Sequence, residues 1–484
     1  MEHLDVLIVG AGISGISGAY YLTTQCPTKK IAIFEGRASL GGTWDLFRYP
    51  GVRSDSDMYT LGFAFKPWTS DKAIADAPSI MSYLNETVDQ FNLRSLIHYQ
   101  RKVTQAAWDS AKSLWTVTYT QGPEAIVQTL TCNFLYMCSG YYNYAKGHRP
   151  EFVGEADFKG QIVHPQFWPE NLNYAGKKVV VIGSGATAVT LVPAMARGVG
   201  AAAHVTMLQR SPTYVVSAPG EDAFANWLRK VLPSKFAYGF IRWRNVLRQM
   251  FFYTMAKKRP DAVKKQILDL MVPELPDGFD IATHFTPSYK PWDQRICLVP
   301  DSDLFTAIKA GTADVETDHI DHFVAGGIAL ASGKTLDADI IVTATGIELQ
   351  VLSGMQVTVD GTSVDFGDTF SYKGMMYSGV PNMASAFGYT NASWTLKADL
   401  TAEYVCRLIQ HMDATGTKTG RPDLHGKNPH PAPWLNFTSG YVTRAMDKFP
   451  KQGDVAPWKV HQNYALDLMA FRFGKIDDGT MVFG

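Results

Sequence analysis

The 484-residue chain has no excess charge of either sign, because its 45 basic side chains balance its 45 acidic ones. Such a chain has no general attraction to polyanions, so we expect no nucleic-acid partner. The sequence also lacks an apolar run of the roughly twenty residues that a membrane-spanning helix needs. Its start, MEHLDVLIVGAG, lacks the basic residues of a secretory signal. These absences favour a cytoplasmic protein.

Cysteine is scarce, and its placement excludes several classes of site. There is no C-x-x-C pair and no Cys/His cluster, which disfavours a zinc site, a disulfide framework and a disulfide reductase. We expect no metal site and interpret the thiols as reduced and buried. The five cysteines are Cys26, Cys132, Cys138, Cys297 and Cys406.

Length and composition indicate a globular enzyme with more than one domain. The chain is longer than the size at which a single hydrophobic core keeps growing. Hydrophobic residues make up 46% of it and charged residues 19%, which is typical of a folded protein rather than a disordered one.

A first glycine-rich turn lies near the start of the chain. The apolar run DVLIV ends in Gly10-x-Gly12-x-x-Gly15, a helical pattern follows at once, and the next predicted strand ends in Glu35. Glycines in this setting let backbone N–H groups approach a pyrophosphate at a helix N-terminus, and the acid accepts hydrogen bonds from a ribose. The pattern predicts a site for a dinucleotide without a 2′-phosphate.

A second turn of the same kind follows the apolar strand KKVVVI. Gly183-x-Gly185-x-x-Ala188 opens another helical pattern, but the next strand leads into Arg210 and Ser211 instead of an acid. A guanidinium pairs with a 2′-phosphate, which a carboxylate would repel. The second site is therefore predicted to prefer NADPH.

Two dinucleotide sites in one chain indicate a hydride relay. A mobile NADPH would reduce a tightly held FAD, since flavin chemistry links two-electron donors to O2. With no redox cysteine pair in the sequence, O2 or an unseen acceptor would be the electron sink.

Two longer motifs point to a family. Residues 41–55 match Gly-Gly-x-Trp-x4-Tyr-Pro-Gly-x3-Asp, and residues 158–169 match Phe-x-Gly-x3-His-x3-Trp-Pro. Together they resemble the paired signatures of type I Baeyer-Villiger monooxygenases. The resemblance extends over nearly the whole chain and is greatest to the ethionamide-activating branch, through GGTWDLFRYPG, SDSDMYTLGF and KGMMYSGVPNMA. The matching positions are Gly41, Gly42, Trp44, Tyr49, Pro50, Gly51 and Asp55, then Phe158, Gly160, His164, Trp168 and Pro169.

The glycine-rich units and the resemblance predict an α/β fold. It should contain two Rossmann-like dinucleotide-binding domains, for FAD and NADP, with a helical insertion in the NADP domain that roofs the substrate pocket. The expected divisions are 1–150 (FAD, first part), 151–221 (hinge and NADP, first part), 222–285 (insertion), 286–345 (NADP, second part) and 346–484 (FAD, second part).

The resemblance and the two turns also imply which residues bind the cofactors. For FAD these are Gly10, Gly12, Ser14, Gly15, Glu35, Gly42, Thr43, Trp44, Asp55 and Val103. For NADPH they are Arg53, Ser54, Gly183, Ser184, Gly185, Ala186, Thr187, Ala188, Arg210 and Ser211.

The resemblance implies an NADPH- and O2-dependent oxidation of ketones to esters or lactones, with S-oxygenation of sulfides and thioamides. The reaction would pass through a C4a-peroxyflavin stabilised by Arg295 and retained NADP+. Asp55 would orient Arg295, so these two are the candidate catalytic residues. A small-molecule substrate and O2 are the expected partners, and the sequence leaves the oligomeric state open.

The second signature is expected to form a hinge between the two domains. Phe158, Phe167 and Trp168 should bury apolar area as a packed linker, with His164 satisfying a backbone group. The resemblance implies that His164, with Gly160 and Pro169, holds a conformation between reduction and oxygenation, and we do not expect it to donate a proton.

Two positions depart from the family pattern. Gln294 stands where many relatives carry a Lys that holds the 2′-phosphate, so selectivity for NADPH should rest on Arg210 and Ser211. Thr190 stands where a Gln is common, so the nicotinamide could be positioned differently.

Three alternatives remain open at this point. An N- or S-oxygenating flavin monooxygenase without Baeyer-Villiger activity would share both dinucleotide sites. A reductase that passes electrons to a protein partner would need a redox cysteine pair or an acidic docking patch, and neither is evident. The basic aromatic segment 240–259 could associate weakly with a membrane surface, although a helix packed on its own protein with a solvated basic face is commoner.

Overall fold

The computed structural model describes residues 2–435 and 437–484. A mixed sheet of nine strands forms the first unit, and its central strand Glu2–Val9 leads directly into the first glycine-rich turn. This strand is parallel to both neighbours and buried along most of its length, which explains its continuous apolar sequence. In spatial order the strands are Thr362–Ser363, Gln356–Val359, Arg101–Asp109, Leu114–Gln121, Ile126–Met137, Glu2–Val9, Ile31–Phe34 and Ile97–His98, with Met383–Ser385 also beside Ile126–Met137.

The second unit is built on five parallel strands. Helices cover one face of this sheet, and a small antiparallel sheet covers the other with Phe323, Ile328 and Leu330. In order, the parallel strands are Ala313–Thr317, His204–Gln209, Lys178–Ile182, Ile340–Thr343 and Gln161–Val163, and the covering strands are Ile320–Val324, Gly327–Leu330 and Thr335–Asp337.

Each glycine-rich turn opens a helix that packs on its own sheet. In the first unit, the opening helix also packs against a long, mostly buried helix near the C-terminus, Trp394–Thr415. The helices outside the insertion are Ile13–Gln25, Thr43–Leu46, Met58–Leu61, Ala77–Gln90, Ala186–Met195, Asp303–Lys309, Trp394–Thr415, Gly440–Thr443 and Tyr464–Leu468.

The chain crosses between the units twice, and the two crossings lie side by side. Strand Tyr142–Gly147 on the way out pairs antiparallel with Ile347–Leu349 on the way back. The units are therefore joined by a hydrogen-bonded ribbon, which restricts how they can move relative to each other. Further short pairs are Val215–Ala218 with Cys297–Pro300, Ser371–Tyr372 with Met376–Tyr377, Gly420–Pro422 with Met481–Phe483, and Ala432–Pro433 with Lys451–Gln452.

The region of the second signature is more than a linker, because its strand Gln161–Val163 forms an edge of the five-stranded sheet. Phe158 is buried against the antiparallel cover and Trp168 packs on the core of the second unit. Phe167, however, is 51% exposed, so the expectation that it buries apolar area is wrong. The other two residues of its short turn, Pro165 and Gln166, are buried, so only the Phe167 ring points outward.

The insertion is helical as expected, but it takes a different position. Its long helix Ser234–Lys258 packs against the short helix Met58–Leu61 of the first unit. Among the described residues, none of 222–285 lines the large cavity reported below, so the insertion does not roof it in this structure. The insertion helices are Ala223–Val231, Ser234–Lys258, Pro260–Met271 and Ile281–His284.

Within the described part of the chain, no helix is both long and apolar enough to cross a membrane.

Candidate active site

A cavity of about 1200 Å³ lies between the two units and is lined by both glycine-rich turns. Its volume exceeds the roughly 300–1,000 Å³ of a site for one small ligand, so it has room for more than one. Of the residues expected to bind cofactors, all line this cavity except Gly15 and Ala188.

Gly15 and Ala188 face inward for the same reason. Each is the third small residue of its turn, where the helix approaches the preceding strand. A Cβ on Gly15 would lie 1.8 Å from the Gly10 carbonyl oxygen, and Ala188 is fully buried. Both residues allow close packing and do not contact a ligand directly.

The first turn has the features of a pyrophosphate site. Helix Ile13–Gln25 begins after Gly12, with no side-chain cap and no acid in its first turn, so its N–H groups are available to an anion. Glu35 lies behind it at the end of its strand and accepts the N–H groups of Ala11 and Arg37, both at 2.8 Å. Burial raises the pKa of Glu35, against these two hydrogen bonds.

The remaining FAD candidates surround this turn. Ser14 is held by Trp394, whose Nε1–H donates to the serine Oγ at 2.8 Å. Val103 lies on the strand Arg101–Asp109 of the same sheet, and the helix Thr43–Leu46 begins at the first signature. Gly42, Thr43 and Trp44 line the cavity directly beside the turn, since the Gly42 Cα would lie 3.6 Å from a Cβ on Gly12.

The second turn has the same form with a different charge. Helix Ala186–Met195 begins after Gly185 without a side-chain cap, and a Cβ at Gly185 would have no atom within 4 Å. Arg210 is exposed at the cavity wall beside Ser211, whose carbonyl accepts the Ser184 hydroxyl at 3.0 Å. An uncapped helix N-terminus beside a guanidinium matches a phosphorylated ribose.

Two further NADP candidates are already engaged within the protein. The Arg53 guanidinium pairs with both carboxylate oxygens of Asp303, at 2.5 and 3.3 Å. The Ser54 hydroxyl donates to the Ser56 carbonyl at 2.8 Å and accepts the Ser56 N–H at 3.0 Å. Both line the cavity, but their polar groups are already paired in this structure.

Arg295 and Asp55 form an ion pair across the cavity. The distance from Nε of Arg295 to Oδ2 of Asp55 is 3.0 Å, and Nη2 lies 3.4 Å from Oδ1. Asp55, more than any other neighbour, raises the pKa of Arg295. The guanidinium side chain remains 37% exposed toward the cavity, so a fixed positive charge faces the space between the units.

The first signature brings Asp55 to this position by reaching across to the second unit. Tyr49 belongs to the hydrophobic core of the second unit, beside Val189 and Leu191 of the helix after the second turn. Arg295 stands shortly before the strand Cys297–Pro300, which pairs with Val215–Ala218. The ion pair therefore depends on how the two units are placed.

Tyrosine side chains surround Arg295, and the sequence did not reveal them as a group. Tyr141 and Tyr142 come from the first crossing strand region and Tyr441 from the C-terminal region, and all three act on the Arg295 pKa. Burial raises the pKa of Tyr441 to about 12. The adjacent tyrosines in CSGYYN were a partial signal, but no spacing in the sequence links them to Tyr441.

The hinge residues lie outside the cavity lining. The His164 ring packs so closely on Gly147 that a Cβ there would lie 2.1 Å from the ring carbon Cε1. Nδ1 accepts the Gln166 N–H at 3.2 Å, and within the described residues Nε2 is buried without a hydrogen-bond partner. Burial lowers the pKa of His164. The ring therefore contacts Gly147 at the end of the first crossing strand.

Gln294 and Thr190, the two departures from the family pattern, both line the cavity. Thr190 is 6% exposed on the helix after the second turn. Neither side chain is charged, so Arg210 remains the basic candidate for the 2′-phosphate beside the second turn.

Comparisons with known proteins agree with this geometry. A model of the flavin-binding monooxygenase-like family matches residues 73–350, and a model of an NAD(P)-binding Rossmann-like domain matches residues 8–71. The FAD-containing monooxygenase EthA of Mycobacterium tuberculosis (strain ATCC 25618 / H37Rv) is 54% identical over 482 residues, covering 100% of this chain and 98% of the relative. The probable FAD-binding monooxygenase AlmA of Acinetobacter baylyi is 50% identical over 483 residues, covering 100% and 96%.

Solved structures share the fold at low sequence identity. An oxidised steroid monooxygenase bound to NADP aligns with a TM-score of 0.79 and 21% identity, over 99% of each chain. An open form of cyclohexanone monooxygenase aligns with a TM-score of 0.79 and 19% identity, over 100% of each chain. The expected α/β fold is confirmed, and the expected cofactors agree with the family description. The chain therefore belongs to the flavin-binding monooxygenase-like family, as an FAD-containing monooxygenase with the fold of the Baeyer-Villiger enzymes.

Proposed function

We propose that this protein uses NADPH and O2 to convert ketones into esters or lactones, and that it also oxygenates sulfides and thioamides. The observation that carries the proposal is the Arg295–Asp55 pair, which presents a fixed cation to a cavity shared by two dinucleotide sites. The 54% identity to the FAD-containing monooxygenase EthA supports an FAD-dependent monooxygenase reaction.

In this proposal FAD is held by the first unit, in residues 1–150 and 346–484. The uncapped start of helix Ile13–Gln25 would hold the pyrophosphate. Glu35 already accepts two backbone N–H groups, and its remaining lone pairs would accept hydrogen bonds from the ribose hydroxyls. When bound, FAD accepts a hydride from NADPH and passes electrons to O2.

NADPH is assigned to the second unit, in residues 151–221 and 286–345. Gly185 leaves open space before an uncapped helix, and Arg210 supplies the charge for the 2′-phosphate. Arg53 would act indirectly, since its pairing with Asp303 fixes the loop that carries Asp55.

Arg295 would stabilise negative charge that develops on oxygen as the ketone carbon is attacked. A charge already fixed in place needs no reorganisation during the reaction, and the guanidinium stays protonated at any working pH. Asp55 is the positioning residue, because its carboxylate holds the guanidinium through Nε and Nη2.

Aromatic side chains would help keep water from the reacting groups. Tyr141 stacks on Trp394 with ring centroids 5.2 Å apart, and Phe387 lies 5.1 Å from the same indole. All three line the cavity. Exclusion of water strengthens the field of a fixed charge and suppresses loss of activated oxygen to solvent.

The test is oxygenation of 2-octanone by purified, FAD-loaded protein with NADPH under ¹⁸O2. Formation of hexyl acetate or its regioisomer with one labelled oxygen, identified by mass spectrometry, supports Baeyer-Villiger activity. Methyl phenyl sulfide and thiobenzamide, run in parallel, test the S-oxygenation.

Two other results would change the proposal. Labelled sulfoxide without any ester would favour an S- or N-oxygenating monooxygenase that lacks Baeyer-Villiger activity. NADPH consumption that yields only hydrogen peroxide with every substrate would retain the flavin relay and overturn the substrate assignment.

A further inference from the structure

The long insertion helix carries a stripe of large apolar side chains that no part of the described protein covers. The positions are spaced i, i+4, i+7, i+11 and i+15, which places them on one face of a helix. Their exposed fractions lie between 44% and 75%. The stripe consists of Phe236, Phe240, Trp243, Leu247 and Phe251.

The opposite face of this helix is firmly packed, so the stripe does not reflect a loosely placed element. Tyr238 and Ile241 are buried against the first unit. The Arg242 guanidinium donates to the carbonyl of Gly62 at 2.7 Å and lies 3.5 Å from the Asp399 carboxylate. One face is thus anchored while the other is apolar and points into solvent. The helix packs on its own protein, as expected, but its exposed side carries large apolar side chains beside basic ones such as Arg248 and Lys258.

Neighbouring elements extend the stripe into a larger surface. The Phe224 ring of the preceding insertion helix lies 6.4 Å from Phe240 and 5.9 Å from Trp227. On the other side, Trp243 lies 5.6 Å from Tyr464, which begins a helical segment with its own exposed apolar residues. We call this surface the apolar face; it consists of Phe224, Trp227, Val231, Phe236, Phe240, Trp243, Leu247, Phe251, Leu466, Met469 and Phe473.

Positive charge accompanies the apolar face. Residues 223–259 contain nine basic side chains and no acidic one, although the whole chain is neutral. Four of the nine pair with acids elsewhere, namely Arg229, Arg242, Arg244 and Lys257. Within the described chain the other five have no acid within ion-pair distance: Lys230, Lys235, Arg248, Lys258 and Arg259.

We propose that the apolar face docks on the surface of an anionic lipid bilayer. Phe and Trp rings beside Lys and Arg are suited to the boundary between headgroups and acyl chains. Anionic headgroups would neutralise the unpaired basic side chains. A second copy of the chain is a poorer occupant, because an isologous contact would bring two like-charged segments together.

The experiment is co-sedimentation of the full-length, FAD-loaded protein with vesicles. Equal parts phosphatidylglycerol and phosphatidylcholine provide an anionic surface, and phosphatidylcholine alone provides a neutral one. We expect binding to the anionic vesicles that weakens as salt is added, and much less binding to the neutral ones. Binding that is absent from both vesicles overturns the proposal.

Matched variants distinguish vesicle binding through the apolar face from nonspecific adsorption. Phe236→Asp combined with Phe240→Asp should lower the vesicle partition coefficient by about tenfold or more, since two rings no longer enter the bilayer. The control is Val127→Asp combined with Val153→Asp, at positions 66% and 73% exposed outside the face, which should bind as the parent does. FAD content and NADPH oxidation in solution should be unchanged in both.

Charge and self-association are tested with the same assay. Lys230→Gln with Lys235→Gln and Arg248→Gln should reduce binding to anionic vesicles and flatten its salt dependence. If instead the parent elutes as an oligomer that Phe236→Asp with Phe240→Asp converts to monomer, and neither binds vesicles, the face is a contact between copies and the lipid proposal is wrong.

Discussion

The Arg295 guanidinium lies in a cavity where its nearest titratable neighbours, apart from Asp55, are phenols. Tyr141 and Tyr441 contribute to its surroundings without carrying charge at neutral pH, because burial raises the pKa of both phenols. A single fixed cation with one carboxylate partner therefore dominates the local field. Reduction of the flavin and oxygenation of the substrate can be measured separately, so the effect of Arg295 on each can be compared.

Replacing Arg295 by Ala should reduce ester formation by about 100- to 1000-fold, the cost of losing a group that stabilises a developing oxyanion. Anaerobic reduction of FAD by NADPH, followed by stopped-flow absorbance, should fall far less. Arg295→Lys is the matched control, since it keeps the charge and loses the planar fork. Equal losses in both half-reactions would show that Arg295 acts mainly in binding or folding.

Arg210→Ala should weaken the preference for NADPH. Loss of a charged hydrogen bond to the 2′-phosphate should lower kcat/KM for NADPH by about 10- to 100-fold. The value for NADH should change little, which makes NADH the internal control. Steady-state kinetics with both nucleotides would check this, and a parallel loss with NADH would assign Arg210 a structural role.

His164 should make the folded protein sensitive to mild acid. Its ordinary pKa is 6.5 and burial lowers it in the folded state, so the unfolded chain binds a proton first as the pH falls. The free energy of unfolding therefore decreases as the pH falls below the ordinary pKa. It stops decreasing once the pH is below the lowered pKa of the folded state. The His164→Gln variant lacks this titration. Lowering the pH from about 7.5 to about 5.5 should therefore reduce the free energy of unfolding more in the parent than in the variant.

Urea unfolding midpoints at the two pH values measure the effect of His164. The matched control is His430→Gln, which removes an exposed imidazole and should follow the parent. Parallel pH dependences for the parent and His164→Gln would contradict the expectation.

Among the elements, the long insertion helix has the least expected position. It lies within the second unit in sequence, yet Arg242 and Asn245 fasten it to the first unit through Asp399, Asp57 and backbone carbonyls. Burial raises the pKa of Asp399, against the attraction of Arg242. The insertion therefore acts as a second connection between the units, independent of the crossing ribbon.

Breaking this connection on one side should be costly. Asp399→Leu or Arg242→Met alone leaves a buried charge without its partner and should destabilise by about 3–5 kcal/mol. The double variant should cost less than either single change, because no uncompensated charge remains. Urea unfolding gives the three values. Lys265→Met, which removes an ion pair with Asp269 between two exposed side chains, is the surface control. Additive single effects would contradict the assigned pairing.

At the scale of the whole molecule, the cavity lies between the two units, so a cofactor bound there should stabilise the folded protein. FAD that contacts only the folded state should stabilise it by about 2.7 kcal/mol at a concentration 100 times its Kd. Stripping the flavin should lower the Tm, and adding it back should restore it. NADP+ should raise the Tm further in FAD-loaded protein, and Arg210→Ala should reduce this second increase. A Tm that does not respond to FAD would show that the folded protein does not bind the flavin preferentially, which would contradict the assigned cofactor site.

Much of this architecture is encoded in short stretches of sequence. The turns at Gly10 and Gly183 and the contrast between Glu35 and Arg210 depend on neighbours a few tens of residues away, so their spacing predicts the two dinucleotide sites. The first signature predicted the pairing of Asp55 with Arg295 only through resemblance, because 240 residues separate the two partners.

Contacts between distant segments account for the rest. Nothing in the insertion sequence shows which of its two apolar faces is buried, since both have helical spacing; the Arg242–Asp399 contact decides it. The phenols around Arg295 meet only when the C-terminal region returns to the first unit. Local conformation follows from neighbouring residues, whereas the surface left open and the groups gathered around a charge depend on how the units pack.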